Sequence, residues 1–247
     1  MEVGEALRRA LAGGASAADV GAFHCAAFGL GDRVALRASD APTTGFRGFT
    51  LSLVVSQPAA VDRLMGAALD LGATPLKLVR KSLWGYGGVV QAGDGTIWKV
   101  ATSSKKDTDP AAGQIEEIVL LLGVADVAAS KRFDVDRGLT VAKSFGRRYV
   151  RFATGHVKLA LYGRRALAKD AGAPPDGTGS HRIVIGSDAG SFTDPDGFAW
   201  EPAGGEPRSA AATPVSAVRH PTLTPSSICA EPSGDRRADL NSMRRIP

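Results

Sequence analysis

The chain has 247 residues, 44% hydrophobic and 22% charged, which sets it among globular proteins and apart from collagen-like or wholly disordered chains. Its net charge of +5, from 30 Lys and Arg against 25 Asp and Glu, is scattered without a block of like charges or an interleaved aromatic surface, so no nucleic-acid partner is expected. The longest apolar stretch, residues 118–135, is broken by Asp126, Ser130, Lys131, Arg132 and Asp134, so no membrane-crossing helix is expected either.

Residues 1–9 lack the apolar core of a secretory signal. Cys25 and Cys229 lie far apart in sequence and fit free thiols, so a reducing cytoplasm is the expected compartment. In chain order, residues 4–11 read as a short helix, and residues 23–28 and 32–38 as strands. Residues 48–55 (Gly-Phe-Thr-Leu-Ser-Leu-Val-Val) read as a buried strand, and residues 58–71 as an amphipathic helix with Val61, Leu64, Met65, Ala68 and Leu69 inward, stopped by Gly72. Residues 85–91 and 96–101 form the next strands around the Asp94-Gly95 turn, giving βαββ, or βαβββ if 76–83 pairs as well. Residues 103–113, polar and holding Pro110 and Gly113, read as a linker.

Beyond it the order restarts. Residues 117–124 are a buried strand, and Asp126 is a plausible N-cap for a helix that ends at Gly138 and contains Val127, Ser130, Lys131 and Phe133. Residues 139–144, 149–153, 157–162 and 181–185 follow as strands, with no room for a helix between 186 and 193. The motif Asp94-Gly95-Thr96-Ile97-Trp98-Lys99 recurs 102 residues later as Asp196-Gly197-Phe198-Ala199-Trp200-Glu201, a tight turn leading into a strand whose Trp is buried. The chain therefore divides into 1–110, 114–201 and a tail, 202–247, which carries seven of the fourteen prolines and no aromatic residue and is expected to be disordered.

The Asp194-Pro195-Asp196-Gly197 turn with its strand ending in Glu201, the strand and helix of 118–138, and the copy of the turn at 94–99 together resemble the vicinal oxygen chelate superfamily, which includes glyoxalase I, bleomycin-resistance proteins and extradiol dioxygenases. The resemblance implies an α+β fold of tandem βαβββ modules curled into cup-shaped sheets, here with the last module shortened. It also implies one divalent metal (Zn, Ni, Mn or Fe) held by residues on the first and last strands of each module, where a substrate with neighbouring oxygens is polarised. By position, His181 and Glu201 match metal ligands, with Glu201 also the catalytic candidate. Phe49, Lys99 and Val119 stand at ligand positions without being ligands, and a further position falls near Ala160 or Tyr162. His24 is a candidate third ligand.

Trp84 and Tyr86, set among glycines, together with Phe49 and Trp98, are the expected ligand-binding residues; Trp98 and Trp200 at matching repeat positions also suit a core. Three functions follow from this reading. The first is a glyoxalase- or bleomycin-resistance-like protein that binds a small organic molecule with reduced metal chemistry. The second is a metal-dependent lyase, isomerase or dioxygenase. The third is a non-catalytic interaction module, and a homodimer partner fits a shortened last module whose sheet edge needs cover.

Overall fold

The computed structural model describes residues 7–11, 23, 27–30, 34–39, 41–83, 85–108 and 114–202. Trp84, His24, both cysteines and all of the tail beyond Pro202 lie outside the described residues. The elements are β1 (Leu7–Leu11), β2 (Val34–Ala38), β3 (Thr43–Gly45), β4 (Phe49–Val55), α1 (Pro58–Asp70), β5 (Thr74–Ser82), β6 (Gly85–Gln91), β7 (Ile97–Thr102), β8 (Ile115–Val124), α2 (Val127–Asp136), β9 (Val141–Phe145), β10 (Tyr149–Phe152), β11 (Val157–Gly163), α3 (Arg164–Ala171), β12 (Gly177–Gly179), β13 (Ile183–Ser187), β14 (Phe192–Thr193) and β15 (Ala199–Pro202).

Two βαβββ modules, β4-α1-β5-β6-β7 and β8-α2-β9-β10-β11, make one eight-stranded sheet in the order β5-β6-β7-β4-β8-β11-β10-β9. In each module the first and last strands run parallel, Leu51 beside Trp98 and Leu159 beside Leu120. The modules join through their first strands, antiparallel, with Ser52 opposite Val119. A five-stranded sheet, β14-β15-β13-β1-β2, repeats the centre of this pattern: β15 is parallel to β13, β13 antiparallel to β1, and β1 parallel to β2. The expected helix at 4–11 is thus a strand over Leu7–Leu11, recruited by β13 and β2, while Phe23, Ala27 and Phe28, expected in a strand, are helical. Tertiary pairing overrides local propensity at both places.

Helix α1 starts with Pro58 at its first turn, where a missing N–H costs nothing, and ends before Gly72 at φ 87°. Its stripe of Ala60, Val61, Leu64, Met65 and Ala68 is buried against the sheet. The Asp126 carboxylate caps α2, accepting from the Ala128 and Ala129 amides at 2.8 and 3.2 Å. Val127, Ser130 and Asp134 face inward on α2, and Phe133 lies under the Arg137 guanidinium, 3.4 Å from its ring centre. One apolar cluster joins both sheets, running from Leu51, Trp98 and Leu120 to Ile183, Phe198 and Trp200, and Phe28 packs on Trp98 with ring centroids 4.9 Å apart.

The Asp-Pro-Asp-Gly turn fastens β15 to α2. Asp194 accepts from the Asp196 and Phe198 amides and from Trp200 Nε1, at 3.0, 2.9 and 3.1 Å. Asp196 accepts from the Ala125 amide at 2.7 Å and from Ser130 Oγ at 2.6 Å. Asp134 sits nearby, only 2% exposed. Burial, then the charges of Asp194 and Asp196, push its carboxyl up to about 7. Burial pushes Asp194 upward as well.

A carboxyl whose pKa is raised in the fold keeps its proton there while the unfolded chain loses it. Stability therefore falls as pH rises from the ordinary carboxylate range towards 7, by up to about 1.4 kcal/mol per pH unit for one proton. Asp134→Asn removes that proton from the balance, so its gain in melting temperature over the parent is expected to grow from about pH 5 to about pH 8. Parallel pH profiles of the two melting curves would exclude Asp134 as the source.

Candidate functional site in the cup

Side chains alternate across the eight-stranded sheet. Leu51, Leu53, Trp98, Val100, Leu120, Leu122, Leu159 and Leu161 face α1 and α2 and are buried. The opposite, cup face carries Lys99, Ser52, Val119 and Lys158 as cross-strand neighbours in one row, two from the first strands and two from the last strands of the modules. Phe49 is turned the other way, into the core at 2% exposure, and the cup residue of β4 beside Lys99 is Ser52.

Lys99 and Val119 of this row stand at positions where the resemblance draws metal ligands, and the donor set of the row does not fit a divalent cation. Ammonium groups only donate and repel a cation, and valine offers no lone pair. Both ammonium groups have oxygen partners: Lys99 Nζ lies 2.7 Å from Asp170 Oδ2, and Lys158 Nζ donates to the carbonyls of Thr154 and Gly155 at 2.9 and 2.8 Å. Among the described residues, no group of three or more His, Cys, Asp and Glu is placed to hold a metal.

Glu201 is the register partner of Gly186 on β13, five residues beyond His181 in the chain. His181 lies before β13 rather than in it. Its Nδ1 is 2.5 Å from the Arg47 carbonyl, its Nε2 is 3.0 Å from the Asp196 carbonyl, and its ring stacks on Phe198 at 4.0 Å. The imidazole thereby bridges the segment entering β4 and the turn entering β15.

Helix α3, absent from the sequence reading, occupies part of the cup. It continues directly from β11 and buries Leu167, Ala168 and Ala171 against Phe46, Val89, Ile97, Leu121 and Tyr162. Gly123 makes room for it, since a Cβ there would stand 2.8 Å from the Gly48 carbonyl oxygen and 3.2 Å from Leu167 Cδ2. Its end is set by Gly172 at φ 77°, and Lys77 Nζ reaches over to the carbonyls of Lys169 and Asp170 at 2.8 and 2.5 Å. The signal was present in sequence as Leu167, Ala168 and Ala171 on one helical face ahead of a glycine, over residues that favour helix.

What α3 leaves open over β5, β6 and β7 is a cavity of about 410 Å³. Gly87, Val89, Lys99, Ala101 and Val54 line it together with Lys77 and Arg80 of β5 and Asp170 of α3. Gly87 is required by packing, because a Cβ would come within 2.6 Å of the Val100 carbonyl oxygen. Of the four expected ligand-binding residues, Tyr86 lines this cavity, although its hydroxyl donates to Asp62 on α1 at 2.7 Å. Trp98 is fully buried on the helix side with Phe49, and Trp84 is outside the described residues.

The solved structures similar to this chain include glyoxalase I from Zea mays, 12% identical with a TM-score of 0.51, and a point mutant of that enzyme, 13% identical with a TM-score of 0.52. Each match covers 81% of this chain and 91% of the other. No protein-family model matches the sequence, and no curated protein matches it either. The likeness is one of architecture: the chain has the α+β fold of glyoxalase I.

If α3 is held in the cup mainly by its apolar face, Leu167→Ala should cost about 2–5 kcal/mol in urea unfolding and speed amide exchange across α3 before the central strands. A variant as stable as the parent would mean that α3 is held by its polar ends alone.

Proposed function

We propose that the protein binds a small organic anion in the cavity between α3 and strands β5–β7, and that it does so without metal chemistry. The observation that carries this reading is the row Lys99-Ser52-Val119-Lys158, which puts ammonium groups on the last strands of both modules where a metal-dependent member of this fold needs acidic or imidazole ligands. The cavity's charge supports it further. Lys77, Arg80 and Lys99 face a single lining carboxylate, Asp170, while Val54, Val89, Ala101 and the glycines of β6 supply apolar contact and close backbone approach. At about 410 Å³ the volume suits a compact ligand of one or two rings.

An aromatic sulfonate dye such as 8-anilinonaphthalene-1-sulfonate is a suitable probe, since it combines an apolar body with an anionic group. Saturable fluorescence enhancement is expected in the parent. Ala101→Leu, which fills the floor, and Lys99→Met, which removes the cation, should each weaken it by about tenfold or more. Equal dye binding in all three proteins would place the site elsewhere. Metal analysis of the purified chain is the second test, with well under one equivalent expected; a tightly held stoichiometric metal would overturn the metal-free reading.

A further inference from the structure

A second pocket of about 370 Å³ opens between strand β3, the Asp94-Gly95 turn and the segment after α3. Arg47, Gln91, Gly95, Thr44 and Gly172 line it, with Asp176 the one acidic residue of the lining. Arg47 is 9% exposed, and its guanidinium is unevenly satisfied. Nη2 donates to the Asp94 carbonyl, while Nη1, equally buried, has no hydrogen-bond partner. The Asp94 carboxylate forms a long ion pair with Nη1 at 4.0 Å, and its oxygens accept from the Thr96 amide and hydroxyl at 3.3 and 2.9 Å. The approach of Arg47 depends on Gly95, where a Cβ would stand 2.9 Å from Nη2.

A second arginine adds its charge from behind. Arg182 is 7% exposed and has a φ of 51°, the single positive φ outside glycine among the described residues. Its Nε and Nη2 both donate to the Ala41 carbonyl, at 2.9 and 2.5 Å, and its Nη1 is also buried without a partner. Burial and then the charge of Arg182 bring the Arg47 guanidinium down to about 10. Two buried cations repel each other, each carries an N–H donor without a hydrogen-bond partner, and the backbone at Arg182 is held in a left-handed conformation that the clash of its Cβ disfavours.

We propose that Arg47, reinforced by the charge of Arg182, forms an oxyanion-binding site in this pocket for a carboxylate or phosphate group, separate from the cup cavity. The fork of a guanidinium matches two oxygens of such a group, and Nη1 is the donor left for it. Gln91, whose Nε2 donates to the Gly95 carbonyl at 3.2 Å, lies on the same wall and fixes that turn beneath the arginine.

The test is thermal unfolding of the full chain, titrated separately with inorganic phosphate and with acetate against sodium chloride at matched ionic strength. A saturable rise in melting temperature with at least one of the two, beyond chloride, is expected, and the stronger response tells whether phosphate or carboxylate is preferred. Arg47→Gln should weaken the apparent affinity by about tenfold or more while leaving the anion-free protein at least as stable, because it removes one of two repelling buried charges. Arg182→Gln gives the same result more weakly and carries the test if Arg47→Gln does not fold. Each titration is repeated in a Lys99→Met background, where anion binding in the other cavity is weakened and the effect of Arg47→Gln should persist undiminished, so this site stands or falls apart from the first. No response beyond chloride, or identical titrations in the parent and the variants that fold, would overturn the proposal.

Discussion

The antiparallel pairing of β4 with β8 is the constraint on which the remaining geometry depends. It joins two βαβββ modules through their first strands, with Leu51 opposite Leu120 and Ser52 opposite Val119. Strand periodicity is two, so a slip of one residue between β4 and β8 would turn one strand over relative to the other, bringing the leucines of that strand into the cup. The cost forbids it: Leu51, Leu53, Leu120 and Leu122 are all fully buried, and each would lose roughly 1.5–3 kcal/mol on exposure. β4 is buried along nearly its whole length because helices cover one face and α3 part of the other, which is why it reads as a continuous apolar run rather than an alternating one.

The same constraint explains what the sequence could and could not say. The modules were legible where turns and runs coincide: β6 at Gly85–Gln91, β4 after Gly48, α1 between Pro58 and Gly72, and the Asp126 cap of α2. The repeated Asp-Gly-x-x-Trp motif marks the entry to β7 and to β15, each the strand that runs parallel to the opening strand of its module, β4 and β13. The intervening module closes with β11 and lacks the motif, so the repeat pointed to real equivalence while passing over one copy.

Less legible was everything fixed by distant partners. β1 has a helix-compatible sequence and becomes a strand only because β13 and β2 flank it. β3 and β12 pair across the chain with Thr43 opposite Gly179, from segments whose glycines and prolines read as loop. His181 matched a ligand position by its place near the start of the last module, but its nitrogens face two backbone carbonyls that sequence spacing could not reveal. Ser52 was overlooked because the face of a doubly buried strand cannot be assigned from its hydrophobic pattern.

Helix α3 then decides how the cup can be used. It divides the space that the eight-stranded sheet encloses, and its tie to the first cavity is the contact of Asp170 with Lys99. That pair is solvated, with side chains 44% and 37% exposed, so it contributes at most about 1 kcal/mol. The buried Leu167, Ala168 and Ala171 hold the helix far more strongly, since a single leucine at full burial is worth roughly 1.5–3 kcal/mol. An anion that takes Lys99 from Asp170 therefore exchanges one weak ion pair for another and need not dislodge α3. The carboxylate of Asp170 would swing into solvent, Lys77 would keep its hold on the carbonyls at the helix end, and the apolar seal between the two cavities would survive ligand entry.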